Sequence, residues 1–469
     1  MKRSMVMAAV ACATVAGMMT AIGAEGNDLP PKSIFGESVE AKAARMQWWT
    51  DARFGMFIHF GLYAMPARHE WVRCQERIDN GTYDTKYLPR FNPDLFDARD
   101  WARQAKSAGM KYVVLTTKHH EGFCMWDTAT TDYKITKTPF GRDLVREYVD
   151  ACRAEGLKVG FYFSIIDWHH PDFTIDPTHP LRPKDGAGLE EYAKLNAGRD
   201  MARYRKYMYA QVRELLTNYG RIDIFWFDYT NKIPPAKSWR DWEAVELLRM
   251  ARGLQPWILV DNRLDLKETD DGWDFVTPEQ FKVSRWPTVR GKRVPWETCQ
   301  TFSGSWGYYR DESSWKSQKQ LIELLIDTVG MGGNLIMNVG PTARGEFDER
   351  ATERLAAFGK WMHANGRAIY GCTEAPEEFK APPETRLTYN PKTRCLYIHL
   401  LSYPMGRLPI AFGDKVAYMQ FLHDGSELRM QKLPDWQLES VDGAADAMAV
   451  ALPIHKPNVE IPVIEAFLK

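Results

Sequence analysis

From residue 46 to about residue 365, short apolar runs alternate with longer stretches in which apolar residues recur at helical spacing. The short runs predict β-strands over 54–59, 112–117, 159–165, 222–228, 258–262, 274–277, 297–301 and 334–338. The amphipathic stretches predict helices over 97–108, 144–155, 190–218, 239–253 and 315–329; in the last, Leu321, Leu324, Leu325, Thr328 and Val329 form one stripe. Asp348 reads as the N-cap of a further helix that buries Leu355, Phe358 and Met362. Strands apolar on both faces, alternating with helices, imply a parallel sheet covered by helices. Eight strand candidates favour closure into a (β/α)8-like barrel over an open sheet, giving an α/β fold class.

After Gly371 the pattern changes. Pro376, Pro382 and Pro383 lie in a connecting stretch. Short apolar runs then flank an Asn390-Pro391-Lys392-Thr393 turn, and another ends at His423-Asp424-Gly425. Runs of this length with turn residues between them predict a small antiparallel β-domain over 372–469, following a barrel domain over 46–371. Ahead of both, Lys2 and Arg3 precede an apolar run to about Ile22, and Ala21, Gly23 and Ala24 supply small residues for cleavage. This pattern predicts a signal peptide over 1–24, a leader over 25–45, and export to the periplasm or exterior of a bacterium, with no membrane span once the signal is cleaved.

Composition narrows the function classes. Lys and Arg number 61, as do Asp and Glu, so the formal net charge is zero and no broad basic face is expected for nucleic acid. Among 17 Trp, 20 Tyr and 22 Phe most must pack in cores, yet a surplus in a cleft would suit sugar rings. Six cysteines follow the signal with no C-x-x-C pair, which speaks against a zinc ribbon and for buried free thiols.

Barrel enzymes build their sites at the carboxyl ends of the strands. Nearly every apolar run here is followed by a polar, titratable or aromatic group: His59; His119 and His120; Asp167, Trp168, His169 and His170; Asp228; Asp261, Asn262 and Arg263; Glu279; Trp296 and Glu297; Asn338. Alternation puts Asp228 on the inward face with Ile224 and Trp226, where a carboxylate is costly unless it has partners or a task. Glu279 and Glu297 are candidate partners, because hydrolysis of a glycosidic bond uses two carboxyl groups. Arg263 is placed to orient a carboxylate. The histidines suit sugar hydroxyls better than a metal, since neighbours such as His119 and His120 point to opposite faces of a regular strand.

At these same residues the chain resembles the α-L-fucosidases of glycoside hydrolase family 29. The resemblance runs from about Met46 to Gly371. It is carried by Ala52-Arg53-Phe54-Gly55-Met56-Phe57-Ile58-His59-Phe60-Gly61, Lys118-His119-His120-Glu121-Gly122-Phe123, Trp226-Phe227-Asp228, Trp273-Asp274-Phe275-Val276-Thr277-Pro278-Glu279, Ser305-Trp306-Gly307-Tyr308 and Gly333-Asn334-Leu335-Ile336-Met337-Asn338-Val339-Gly340-Pro341. It implies a barrel-like catalytic domain followed by a β-sandwich, and exo-acting, retaining removal of terminal α-L-fucose from glycans or glycoconjugates through a fucosyl-enzyme. It implies no metal and no other cofactor. The family's nucleophile falls on Asp228, its sugar-binding histidines on His59, His119 and His120, its Glu-Trp pair on Glu70 and Trp71, and its arginine on Arg263. An aromatic near the sugar methyl group falls on Trp306, with Phe57 beside it. The Trp-Asp-Phe-x-Thr-x-Glu pattern favours Glu279 as acid/base, with Glu297 as the alternative and Glu70 third. Tyr229-Thr230 departs from the small residue that many members carry after the nucleophile, which bears on leaving-group recognition. Two rivals stay open: a barrel exo-glycosidase for another sugar such as galactose, and an inactive glycan-binding relative.

Overall fold

The computed structural model describes residues 29–433, 438 and 447–469; the expected signal over 1–24 lies outside them. Seven strands form one parallel sheet: β1 (Phe54–Ile58), β2 (Tyr112–Lys118), β3 (Lys158–Ser164), β4 (Ile224–Asp228), β5 (Leu259–Val260), β6 (Glu297–Thr301) and β7 (Asn334–Val339). Their order is β5-β4-β3-β2-β1-β7-β6. The alternation along each strand sorts side chains into two layers. Phe57, Val114, Tyr162, Ile224, Trp226, Cys299 and Ile336 share one buried cluster on the inner face. Met56, Val113, Leu115, Phe161, Phe225, Phe227 and Met337 pack outward against the helices.

The eighth strand predicted at 274–277 is a correction. Regular pairing stops at β5 on one side and at β6 on the other, so no ladder closes the barrel. The segment and the residues just after it instead make isolated parallel bridges, Asp261 with Phe275 on one side, and Val276 with Trp296 and Glu279 with Cys299 on the other. The reason lies in Pro278 and Pro295, which have no N–H and cannot extend a ladder. Phe275 still points inward and stacks on Trp49 at 4.9 Å.

The helices follow their caps. Asp97, Asp143 and Asp348 each accept a backbone N–H at the start of Ala98–Ser107, Leu144–Ala154 and Glu349–Asn365. Ser317 and Gln320 form a reciprocal capping box for Gln318–Gly330. Two predicted helices are broken. The stretch 190–218 divides into Leu189–Leu195 and Met201–Thr217, because Gly198 turns with φ 87° and Asp200 caps a new start. The stretch 239–253 divides at Glu243, which adopts φ 49° between Trp239–Trp242 and Ala244–Leu254. A helix not foreseen, Val39–Ala52, begins within the stretch read as a leader and inserts Met46 and Trp49 into the inner cluster.

The C-terminal part holds two antiparallel sheets. One pairs Thr385–Asn390, Cys395–Leu400, Val463–Leu468 and Val416–Phe421, in that order; the other pairs Arg407–Ile410, Met448–Ala451 and Met430–Lys432. Leu396, Ile398, Met419 and Ile464 from the first share a core with Leu408, Ile410 and Val450 from the second. Among the described residues no helix is long and apolar enough to cross a membrane. Their six cysteines are all buried and free.

Candidate active site

Asp228 is the last residue of β4, on the inner face as alternation requires, and its carboxylate accepts two hydrogen bonds. Tyr162 on β3 donates its hydroxyl to Oδ2 at 2.6 Å. Arg263, just past β5, donates from Nη1 to Oδ1 at 2.8 Å. His120 Nε2 stands 3.8 Å from Oδ2. The same guanidinium donates from Nη2 to Glu279 Oε2 at 2.7 Å, so one arginine ties the two carboxylates together. Burial works against the charge of Arg263, and the carboxylates of Asp228 and Glu279 outweigh it, holding the group firmly protonated. Asp228 is buried, while the Glu279 side chain is 41% exposed and stands at the rim.

Around this pair lies a cleft that encloses about 410 Å³ of empty space, part of it open to solvent. Its walls are Phe57, His59, Trp71, His119, His120, Tyr162, Trp226, Tyr229, Arg263, Cys299 and Trp306, with both carboxylates. The expectation that His119 and His120 face apart fails for a local reason. β2 ends at Lys118, and Gly122 N reaches back to His119 O in a turn, so the two rings lie 4.1 Å apart on the same side.

Burial lowers the proton affinity of these histidines, to about pKa 3 for His59 and His120 and well below the ordinary value for His119. They are therefore neutral, and their partners select the tautomer. Asn338 Nδ2 donates to Trp306 O at 2.6 Å, which orients the amide so that its Oδ1 accepts His59 Nδ1–H, also at 2.6 Å. Ser164 gives its proton to Ile166 O, so its Oγ accepts His120 Nδ1–H at 2.7 Å. Both rings are left with an unprotonated Nε2, an acceptor suited to a hydroxyl.

Two of the proposed site residues fall elsewhere. Glu297 does not end a strand; it opens β6, at the amino end of the sheet. There Tyr112 OH donates to its Oε2 at 2.5 Å and Trp49 Nε1 at 3.3 Å, and burial raises its pKa to about 7. It is absent from the cleft wall. Glu70 is buried behind the wall, where Oε2 accepts Gly307 N at 2.8 Å and so holds the peptide next to Trp306. His169 and His170 also lie outside; His169 pairs with Asp84 at 2.8 Å and stacks on Tyr133. Tyr162, Trp226 and Cys299 were missed. Their inward position follows from alternation, but the proximity of Tyr162 to Asp228 follows from the β3–β4 register, which pairs Tyr162 with Trp226 and Ser164 with Asp228, and Cys299 is brought in by its bridge to Glu279. Among the described residues no group of three or more His, Cys, Asp or Glu side chains is set to hold a metal.

Comparison with known proteins agrees with this geometry. Residues 31–367 match the family model described as alpha-L-fucosidase. The solved alpha-L-fucosidase isoenzyme 1 of Paenibacillus thiaminolyticus is 43% identical, with TM-score 0.83, covering 91% of this chain and 99% of that one. A Bacteroides thetaiotaomicron alpha-L-fucosidase, solved as a trapped covalent intermediate with 2-fluoro-fucosyl fluoride, is 28% identical, with TM-score 0.75, covering 91% of this chain and 96% of that one. The human tissue alpha-L-fucosidase is 28% identical over 389 residues, which is 76% of each chain. A strand-end aspartate, a rim glutamate and a ring of neutral histidines thus sit on a fold shared with these enzymes, and the chain belongs to the alpha-L-fucosidase family, glycoside hydrolase family 29.

Proposed function

We propose that the protein is an exo-acting, retaining α-L-fucosidase that releases terminal α-L-fucose from glycans, with Asp228 as nucleophile and Glu279 as acid/base. The observation that carries this reading is the single guanidinium that reaches both carboxylates, at 2.8 and 2.7 Å. Retention follows from membership of the fucosidase family, and it needs the two carboxyl groups about 5–5.5 Å apart on either side of the scissile bond, an arrangement that one bridging guanidinium can hold. Asp228 attacks the anomeric carbon while Glu279 protonates the leaving oxygen; Glu279 then takes a proton from the water that releases fucose. His59, His119 and His120 receive the sugar hydroxyls, and Trp71 walls the pocket. Phe57, whose ring lies 6.2 Å from that of Trp306, offers apolar surface with it to the sugar methyl group. Glu70 acts indirectly, by holding the Trp306-Gly307 peptide.

The reading extends to the chain as a whole. Residues 46–371 are the catalytic barrel, its wall completed through the bridging segment around Phe275, and 372–469 form a β-sandwich. Residues 1–24 direct export to the periplasm or exterior. The test is turnover of aryl α-L-fucoside beside the matching aryl α- and β-galactosides. Cleavage of the fucoside alone, with fucose first released as the α-anomer, is expected. Preference for a galactoside would replace the substrate, and no turnover by the folded protein would favour a glycan-binding role.

A further inference from the structure

Beside the sugar pocket lies a wider groove that the mechanism above does not use. Two short segments serve both: Arg263 and Glu279 face the pocket, while Asn262 and Pro278 line the groove. Thr277 stands between, accepting Arg263 Nε at 2.9 Å and donating to Asn262 Oδ1 at 3.3 Å. The groove measures about 1070 Å³ and is open to solvent. Its apolar side is Phe281, Val283 and Trp286. Phe281 is 58% exposed although it lies only two residues from Glu279. Between them Gln280 adopts φ 58°, with its side-chain amide tied to Thr301 Oγ1 at 2.8 Å, so the chain turns Glu279 toward the pocket and Phe281 toward the groove. Trp286 is anchored through Nε1 to Val294 O at 2.8 Å. A large exposed ring beside a rigid aromatic wall is the kind of surface that a ligand covers.

The groove also has a charge preference. Residues 282–293 contain Lys282, Arg285, Arg290, Lys292 and Arg293 and no acidic residue. Lys282, Arg290 and Arg293 pair with Asp327, Asp270 and Glu374. Arg285 lines the groove and has no acidic partner among the described residues, and no acidic side chain lines the groove. An unpaired guanidinium binds sulfate or carboxylate with two parallel hydrogen bonds.

We propose that this groove binds the leaving-group glycan, stacking its first sugar on Phe281 and pairing an anionic substituent, a sulfate ester or a carboxylate, with Arg285. The inference rests on Glu279 as acid/base, since the leaving oxygen must lie beside that carboxyl and the leaving sugar just beyond it. The experiment compares kcat/KM on four probes. These are α-L-fucosyl fluoride, which has no leaving sugar; a fucosylated N-acetyllactosamine in a linkage the enzyme cleaves; and the mono-O-sulfated and sialylated forms of that oligosaccharide, which separate sulfate from carboxylate. The wild type is expected to favour one anionic form over the neutral one by about five- to tenfold at low salt, and to lose that advantage as ionic strength rises. Arg285→Gln should erase the advantage. Phe281→Ala should lose about tenfold more on the oligosaccharides than on the fluoride, and Phe281→Tyr should keep the wild-type ratio. Equal rates on neutral and anionic forms in the wild type, or parallel losses on all four probes in the variants, overturn the proposal. Failure of the wild type on the fluoride overturns the fucosidase reading itself.

Discussion

At the scale of single residues, the site is a set of hydrogen bonds whose direction can be assigned. Asp228 accepts from Tyr162 and Arg263, so Asp228→Asn keeps an acceptor oxygen in place while removing the nucleophile. Activity should fall by on the order of 1,000-fold or more, with a melting temperature near that of the wild type. Activity close to wild type in the folded variant would exclude Asp228. Glu279→Gly should slow natural oligosaccharides far more than an activated fucoside, and azide should restore turnover by attacking the intermediate to give α-fucosyl azide, the retained configuration. Rescue at Glu297 instead would reverse the assignment. Asn338 fixes the tautomer of His59 through bonds at both ends of its amide. Asn338→Leu should therefore cost about 1–3 kcal/mol of transition-state binding, roughly 5- to 150-fold in kcat/KM. Unchanged kinetics would show that His59 orients itself.

At the scale of elements, the strand ends and the turns after them do the positioning. β2 stops at Lys118 so that two adjacent histidines enter one pocket, and the chain after β4 turns at Tyr229, which has φ 82°. That conformation costs a non-glycine residue about 1–2 kcal/mol. The Tyr229 ring offsets it through contacts with His120 at 5.2 Å and Trp71 at 5.8 Å. Alanine would keep the strain and lose the ring, whereas glycine would lose both. Tyr229→Gly is thus expected to be more stable than Tyr229→Ala by about 1 kcal/mol in chemical denaturation, the reverse of the usual order. The ordinary order, alanine above glycine, would mean that the turn carries no strain.

At the scale of the whole molecule, the two ends of the parallel sheet have different tasks. The carboxyl end holds the cleft, and the amino end is sealed by Val39–Ala52, where Glu297 is buried beneath Trp49 and Tyr112. Burial raises the Glu297 pKa from 4.5 to about 7, so the folded state binds this proton more tightly than the unfolded chain does. The stability linked to that proton is complete below about pH 4.5 and is lost as pH rises through about 7, amounting to on the order of 3 kcal/mol at most. Glu121, bonded to Tyr83 and likewise raised to about 7 by burial, adds to the trend. Glu297→Gln removes one titration and keeps an acceptor. Its stability should match the wild type near pH 4.5 and exceed it near pH 8, with turnover retained. A pH-independent difference, or lost turnover, would contradict this placement.

The chain's own pattern determined much of this. The 3.6- and 2-residue periodicities located the strands of the parallel sheet and most helices, because a segment buried against its neighbours must be apolar on the faces that touch them. The inward direction of Asp228 followed from Ile224 and Trp226 by alternation, and the run of polar strand ends marked the rim. Periodicity is blind to what happens where a strand stops. It does not show that the chain turns at Lys118, that Pro278 and Pro295 reduce the eighth strand to isolated bridges, or that Gly198 and Glu243 break helices. Nor does it show which end of its strand a glutamate occupies. Glu279 and Glu297 both border apolar runs, and only the fold puts one at the carboxyl end beside Arg263 and the other at the amino end beside Tyr112. The contacts of Tyr162 with Asp228 and of Asn338 with His59 span 66 and 279 residues of sequence. Strand register brings such partners together, and register is set by the packing of the whole sheet, which no local stretch of sequence contains.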